Sequence, residues 1–391
     1  MSKKYALATK TWDEAEYSAI DRVIKSDMFT MGKEVIQFEK DFASFFNKKY
    51  AVMVNSGSSA NLIMIASLFY KKISPLKEGD EVIVPAVSWS TTYLPLQQYN
   101  LKVVFVDVDI HTLNFNLEKL EAAITPNTKA VFAVNLLGNP NDFNKIKSLI
   151  QGKNIYLLED NCESMGATYN GEFAGGIGLM GTFSTFFSHH ISTMEGGVII
   201  TDDEELYHIS LSLRAHGWTR NLPKENYVTG VKSDDVFAES YKFVLPGYNV
   251  RPLEMSGAIG QEQLKKLPSI IRNRRDNALR FLNIAKKYSW LICQSETGES
   301  SWFGFSIIIN PDSGKNRADL IEIFDKFGIE YRPIVAGNFV KNEVITYFNY
   351  KVAGDLTNAD LLDTNGLFIG NHHYDLSEEF KLLEEALNVY N

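Results

Sequence analysis

Two adjacent histidines lie in the segment TFFSHHISTMEGG, which runs from Thr185 to Gly197. An imidazole has an ordinary pKa of about 6.5, so His189 or His190 could transfer protons near neutral pH. A metal site would need further ligands at a set spacing, and the nearby sequence has no H-x-x-x-H or H-x-H arrangement. For either histidine taken alone, a structural role is the simpler interpretation, so the neighbouring motifs must decide.

A second candidate is the segment NSGSSAN, residues 55–61, which stands between a strand-like apolar run and a helix-like apolar run. Small residues at the beginning of a helix let backbone N–H groups approach an anion at the positive end of the helix dipole. The segment is therefore a candidate anion site. The alternative is an ordinary serine cap with a tight turn, and the segment alone favours that alternative.

The run IYLLEDNCES ends an apolar strand in two acids, Glu159 and Asp160. A carboxylate at the carboxyl end of a strand can keep a cofactor's ring nitrogen protonated. The alternative, a helix cap or a solvated loop acid, is equally well supported. The nearby GIGLMG, residues 176–181, matches a dinucleotide-binding pattern, but the strand-like TFSTFF follows where that pattern needs a helix. We interpret this match as chance.

His216, in RAHGWTRN, follows a helix-like segment and has Arg214 and Arg220 nearby, so it could face an anionic ligand. Capping of the helix C-terminus is at least as good an explanation.

The elements that must position these residues alternate along the chain. Strand-like runs such as AVMV, EVIVPAV and KVVFVDVD alternate with amphipathic segments such as LEKLEAAI and FNKIKSLI. This pattern predicts an α/β fold with a mostly parallel sheet, whose ligand sites lie at the carboxyl ends of the strands. Beyond about residue 250 a long helical passage, interrupted at Pro268, precedes a strand, a helix and another strand. We therefore predict a large domain, residues 1–250, and a smaller C-terminal α/β domain, residues 251–391, packed closely together.

Composition limits the possible partners. The 391 residues carry a net charge of -9, which disfavours a nucleic-acid surface and favours small-molecule ligands. The two cysteines, Cys162 and Cys293, cannot build a disulfide framework or supply the four thiolates of an iron–sulfur cluster. The beginning of the sequence lacks the apolar core of a signal peptide, and the uncharged run 50–70 is broken by NSGSSAN. We expect a cytoplasmic protein without a membrane span.

Together, over nearly the whole chain, these motifs resemble the sugar aminotransferases of the DegT/DnrJ/EryC1/StrS type, which use pyridoxal 5'-phosphate (PLP) and have the type I, aspartate aminotransferase-like fold. The resemblance implies contacts between cofactor and protein at three places. The phosphate would be bound by Gly57, Ser58 and Ser184 and, from the neighbouring subunit, by Asn249 in PGYNVRPLEMSGAIG. Trp89 in VPAVSWSTTY would stack on the ring, and Asp160 would bind the pyridine nitrogen. Glu163 would lie near the ring hydroxyl, where the family usually has Gln. A homodimer with shared active sites follows from the role of Asn249.

The chain departs from this family at its defining position. Counted back from MEGG, His189 occupies the place of the lysine that binds the cofactor covalently. Histidine cannot form that bond but can still move protons. With RAHGWTRNLPK, VKSDD and GESSWFGF, this feature is similar to the lysine-less 3-dehydratase branch of the family, which works without covalent attachment of the cofactor.

The resemblance to that branch implies a two-stage reaction. L-glutamate converts PLP to pyridoxamine 5'-phosphate (PMP), and PMP then serves to remove the C3 hydroxyl of a nucleotide-linked 4-keto-6-deoxysugar, with GDP as the nucleotide, while ammonia is released. His189 would transfer the protons, and His216, Arg220 and Arg332 are candidate contacts for the substrates. The product would be a precursor of colitose, a lipopolysaccharide sugar. Two alternatives remain open: a nucleotide-sugar 4-aminotransferase and a non-catalytic PLP-binding regulator.

Overall fold

The computed structural model describes residues 4–391, so the first three residues of the predicted large domain lie outside the description. The strands are β1 (Tyr50–Val54), β2 (Glu81–Pro85), β3 (Lys102–Val106), β4 (Thr128–Val134), β5 (Tyr156–Asp160), β6 (Thr168–Tyr169), β7 (Glu172–Phe173), β8 (Met180–Ser184), β9 (Gly197–Thr201), β10 (Glu225–Asn226), β11 (Gly230–Val231), β12 (Leu291–Ile292), β13 (Gly304–Ile309), β14 (Tyr331–Arg332), β15 (Tyr350–Val352) and β16 (Gly366–Gly370). The α-helices are α1 (Glu14–Ser26), α2 (Lys33–Phe45), α3 (Gly57–Phe69), α4 (Ser90–Gln98), α5 (Leu117–Ala123), α6 (Phe143–Ile150), α7 (Glu204–Arg214), α8 (Val236–Ser240), α9 (Glu254–Ala285), α10 (Arg317–Phe327), α11 (Thr357–Asn365) and α12 (Ser377–Tyr390).

The main sheet has eight strands in the order β1-β9-β8-β5-β4-β2-β3-β15. All neighbouring pairs are parallel except the two that β9 forms with β1 and β8. Every residue of β2, β8 and β9 is buried, as expected for strands that helices cover on both faces. The prediction of a mostly parallel α/β sheet is confirmed.

A second sheet of four strands, in the order β12-β13-β16-β14, lies in the C-terminal part of the chain and is antiparallel throughout. Two segments cross the predicted domain boundary at residue 250. Tyr5 is buried in the core of the small sheet and donates its hydroxyl to Gly370 O at 2.7 Å, while β15 pairs in parallel with β3 of the main sheet. A domain boundary at residue 250 stays a prediction.

The predicted interruption at Pro268 was wrong, because α9 is a single helix of 32 residues that continues through this proline. Proline removes one backbone donor and crowds the carbonyl four residues earlier, at Leu264. Leu264, Leu267 and Ile271 around it are nonetheless buried, in one core cluster with side chains of α2. Tertiary packing therefore outweighs the local cost of the proline.

Glu159 and Asp160 at the end of β5 have different surroundings, because successive side chains of a strand point to opposite faces. Glu159 is completely buried and accepts hydrogen bonds from the backbone N–H groups of Gly175, Ile177 and Gly178 at 2.5–2.7 Å. A Cβ at Gly178 would lie 2.5 Å from Leu157 O, so the close approach requires glycine. The glycine-rich segment thus binds a carboxylate of the protein itself, and β8 follows it as expected.

Candidate active site

A cavity of about 670 Å³ lies where β1, β2, β4, β5 and β8 give way to loops. Its size is typical of small-molecule sites, which span about 300–1,000 Å³. Eight of the eleven predicted site residues line it: Gly57, Ser58, Trp89, Asp160, Glu163, Ser184, His189 and Arg332. The fold therefore brings together residues that are up to 275 positions apart in the sequence.

One part of the cavity is formed by the beginning of α3 and the end of β8. Ser56 caps α3 by accepting a hydrogen bond from Ser59 N at 3.1 Å. A Cβ at Gly57 would lie 2.7 Å from the Cβ of Ser184, so glycine is needed for the helix to begin this close to the strand. The positive end of α3 and the Ser184 hydroxyl therefore offer a combined site for an anion such as phosphate.

Asp160 is held in one orientation by three donors. Its Oδ2 accepts hydrogen bonds from Asn61 Nδ2 at 2.8 Å and Thr92 Oγ1 at 2.7 Å, and its Oδ1 accepts one from Cys162 N at 3.1 Å. A carboxylate fixed in this way can bind a protonated ring nitrogen. No motif in the sequence indicated Asn61 or Thr92, although Asn61 stands one helical turn after Gly57 and hence on the same face of α3.

Trp89 precedes α4 and lines the same cavity, with 58% of its surface exposed. Its indole is therefore available to stack on a flat ligand.

Glu163 also lines the cavity, and one of its oxygens accepts a hydrogen bond from Leu137 N at 3.0 Å. Burial raises the pKa of the Glu163 carboxyl to about 7, and the negative charge of Asp160 adds to the effect. Glu163 thus differs from Asp160, because a protonated carboxyl can donate a hydrogen bond to a ligand.

Glu163→Gln is expected to flatten the pH dependence of stability. A pKa raised from 4.5 to about 7 on folding means that the folded state is favoured below pH 4.5 and loses this advantage as the pH rises through 7. Glutamine has no proton to lose and can still accept the bond from Leu137. At pH 8 the variant without cofactor should therefore unfold with a free energy roughly 1–3 kcal/mol larger than wild type.

Urea denaturation of both proteins at pH 5 and pH 8 measures this effect. An equal difference at the two pH values would contradict the prediction.

His189 has an imidazole enclosed by aromatic rings. The ring centroids of Phe303 and Phe186 lie 5.1 Å and 5.9 Å from its own, and its backbone N–H donates to Phe186 O at 2.9 Å. Burial, reinforced by the positive charge of Arg274, lowers the pKa of His189 to about 4. The imidazole is neutral at pH 7, and its Nδ1 has no hydrogen-bond partner within residues 4–391. A neutral imidazole at a ligand cavity is suited to accept protons.

His190 is different from its neighbour. It is completely buried, does not line the cavity, and its Nε2 lies 3.1 Å from the carbonyl oxygen of Ser301. This geometry assigns Nε2 as the donor and agrees with a structural role.

Three predicted site residues do not line this cavity: His216, Arg220 and Asn249. They lie near one another instead, because residue 215 forms a β-bridge with Asn249, and the Arg220 guanidinium lies 4.0 Å from the centre of the Trp218 ring. Arg220 and Asn249 are exposed.

Residues 4–391 contain no group of three or more His, Cys, Asp or Glu side chains that could hold a metal ion. Within the same range, no helix is both long and apolar enough to cross a lipid bilayer.

Comparisons with known proteins agree with this geometry. GDP-4-keto-6-deoxy-D-mannose 3-dehydratase of Escherichia coli O55:H7 is 64% identical over 384 residues, which are 98% of this chain and 99% of that protein. A solved structure of the E. coli enzyme with bound hydrated PLP has a TM-score of 0.98 at 63% identity and covers 99% of this chain and 100% of its own. A structure of GDP-4-keto-6-deoxymannose-3-dehydratase with a trapped PLP-glutamate geminal diamine has a TM-score of 0.97 at 63% identity, over 98% of this chain and 100% of that one.

The family profile gives the same result for the chain as a whole. The DegT/DnrJ/EryC1/StrS aminotransferase family matches residues 10–381. The resemblance seen in the sequence motifs and the predicted type of fold are both confirmed. The match covers nearly the whole chain, and the cavity lies at the ends of the parallel strands. The chain therefore belongs to the DegT/DnrJ/EryC1/StrS aminotransferase family.

Proposed function

We propose that this protein is a PLP- and PMP-dependent dehydratase that removes the C3 hydroxyl of GDP-4-keto-6-deoxy-D-mannose, with L-glutamate as amino donor and release of ammonia. The observation that carries the proposal is His189, which presents a neutral imidazole to the cavity at the position where the family has its lysine. The substrate and the donor are inferred from the 64% identical relative and from the glutamate adduct in the related structure.

The residues of the cavity fit this cofactor. The N-terminus of α3 with Gly57 and Ser58, together with Ser184, offers a site for the phosphate, and the oriented carboxylate of Asp160 suits a protonated pyridine nitrogen. Trp89 is free to stack on the ring, and Glu163 can donate to the ring hydroxyl. When bound, the cofactor supplies an electron sink next to the reacting carbon.

His189 holds and moves the protons of both stages. In the first stage, as a neutral base, it takes the proton from the α-carbon of glutamate and delivers it to the bound cofactor. In the second stage it takes a proton back from the cofactor and, as the resulting acid, can protonate the C3 hydroxyl as that group leaves the sugar. The overall reaction balances, because the two electrons that glutamate loses in becoming 2-oxoglutarate reduce C3 of the sugar. Ammonia carries away the amino group.

The absence of lysine at position 189 determines which product forms. A lysine could return the cofactor to a covalent resting form and complete transfer of the amino group to the sugar. Histidine cannot form such a bond, so the amino group stays available for release as ammonia. This difference separates the proposed dehydratase from a 4-aminotransferase.

We further propose a homodimer with shared active sites. His216, Arg220 and Asn249 do not line the cavity of their own chain, and Arg220 and Asn249 are exposed. A second exposed patch nearby is apolar: Met28, Phe29 and Leu253 are each at least half exposed, and residue 30 forms a β-bridge with Leu253. Burial of this patch against a second copy would favour dimerisation. Asn249 would then reach the cofactor phosphate of the partner, while Arg220 and His216, with Arg332 of the first chain, would contact the anionic substrates.

We propose a cytoplasmic location. Both cysteines are free thiols, as is usual in a reducing compartment.

Incubation with PLP, L-glutamate and GDP-4-keto-6-deoxy-D-mannose, followed by mass spectrometry of the sugar nucleotide, tests the proposal. The expected product lacks one oxygen atom and forms together with ammonia and 2-oxoglutarate. An aminated sugar would instead identify a 4-aminotransferase. If glutamate fails to convert bound PLP to PMP, as followed by absorbance, the protein is a non-catalytic PLP-binding regulator.

A further inference from the structure

Arg274, on α9, carries a buried positive charge without a nearby negative one. Only 4% of its surface is exposed, and within residues 4–391 no carboxylate forms an ion pair with it. Its Nη1 donates to Phe303 O at 2.9 Å and to Trp302 O at 3.4 Å, while Nε has no hydrogen-bond partner among the described residues. Burial lowers the pKa of Arg274 to about 10, so the guanidinium stays charged at neutral pH. An unpaired buried charge is costly, so the place of Arg274 in this fold requires an explanation.

The carbonyls that Arg274 binds belong to the segment Ser301–Phe303, which packs behind the two histidines. The Phe303 ring lies 5.1 Å from that of His189 and 5.9 Å from that of His190, and Ser301 O lies 3.1 Å from Nε2 of His190. Any movement of this segment would therefore move the wall of the His189 site.

The segment needs external support, because Trp302 has a φ of 47°, a left-handed conformation that large side chains rarely adopt. Such conformations persist only where the surroundings determine them. Besides Arg274, Asn371 Nδ2 donates to Trp302 O at 2.9 Å, and Phe303 N donates to Leu137 O at 3.0 Å. Arg274 is the charged member of this set of contacts.

The same charge acts on the histidines. Arg274 lowers the pKa of His189 and of His190, in each case after burial as the larger cause. The other charged groups at the cavity come from different elements: Asp160 at the end of β5, Glu163 just after it, Glu195 between β8 and β9, and Arg332 on β14. The carboxylates favour a protonated imidazole, whereas Arg332 and Arg274 oppose it.

We propose that Arg274 is a positioning residue with two tasks: it fixes the segment Ser301–Phe303 against His189, and it places a buried positive charge behind the wall of the His189 site. The proposal rests on the proposed function, in which His189 moves protons. A neutral donor would be sufficient for the first task. The second requires a cation, which accounts for the unpaired charge.

The test is the protonation midpoint of His189 in the PLP-bound protein, measured by NMR with labelled histidine and assigned by the signal that is lost in His189→Asn. Arg274→Gln keeps a hydrogen-bond donor but removes the charge, so the midpoint should rise by roughly one pH unit. Arg274→Lys restores the charge and should return the midpoint to that of wild type.

Arg275→Gln is a matched control on the same helix. Arg275 Nε donates to Ser300 O at 2.9 Å, next to the segment 301–303, but its Nη1 pairs with Glu299 at 3.5 Å. This variant should leave the midpoint unchanged. An unchanged midpoint in Arg274→Gln, or an equal rise in Arg275→Gln, would overturn the proposal.

If Arg274→Gln fails to fold, Arg274→Met takes its place, because it removes the same charge with an apolar side chain of similar length, a change that buried charges often tolerate. A rise of the midpoint by roughly one pH unit in Arg274→Met supports the proposal, and an unchanged midpoint contradicts it. Because this titration involves no sugar, its outcome is independent of the product assay. If the midpoints change as expected while the product assay gives an aminated sugar, only the proposed function is refuted.

Discussion

His189→Asn is expected to lower the rate of both half-reactions by about 10²–10⁴-fold, the usual contribution of a positioned general base. Asparagine cannot take up a proton, whereas His189 is neutral at pH 7 and ready to accept one. The contacts predicted for the cofactor, at Gly57, Asp160 and Ser184, do not involve this side chain. PLP affinity should therefore stay close to that of wild type. Stopped-flow absorbance of PLP conversion by glutamate measures the first half-reaction, and product mass spectrometry follows the second.

His189→Lys tests whether histidine in place of lysine at this position determines which reaction occurs. Lysine should form a bond to PLP that borohydride can trap, and dehydration should weaken because the cofactor is now held covalently. Full dehydration by the asparagine variant would mean that another group is the base. Unaltered dehydration by the lysine variant would mean that histidine is not the decisive change.

Asp160→Asn is expected to weaken PLP binding by about 10–100-fold, since a hydrogen bond to a charged group contributes about 1.5–3 kcal/mol. Turnover should fall further than binding, because a ring nitrogen without a carboxylate partner is a weaker electron sink. Titration of PLP into the protein, followed by fluorescence quenching, measures the affinity.

Glu159→Gln provides the control for Asp160→Asn, since it changes the adjacent carboxylate on the opposite face of β5 in the same way. Glu159 accepts three backbone N–H bonds away from the cavity, so its variant should lose stability but retain PLP affinity. Equal losses of affinity in both variants would indicate general damage to β5 and contradict the role predicted for Asp160.

Much of the site could be predicted because its residues follow strands. The apolar runs before Gly57, Asp160 and Ser184 identify buried strands, and parallel strands deliver their carboxyl ends to one edge of the sheet. The roles of Trp89, Ser184 and His189 were predicted from the resemblance to the family. For these residues local sequence and tertiary position agree.

Other features depend on contacts between distant parts of the chain. Thr92 binds Asp160 across 68 positions, and Asn61 does so across 99. Nothing near Arg274 distinguishes it from Arg272 or Arg275; its burial follows from the place where α9 crosses the segment after residue 300. Pro268 misled the prediction for the same reason, because the packing that supports the helix comes from α2.

The position of β15 has a consequence for dividing this protein or exchanging its parts with relatives. This short strand, from the C-terminal part of the chain, covers the edge of β3 in the main sheet. A fragment that ends near residue 250 would expose the backbone donors and acceptors of β3, which invites pairing with other chains and aggregation. A chimaera with a relative would have to carry residues 350–352 from the same parent as β3. The C-terminal part is thus a structural component of the sheet that holds the cofactor site.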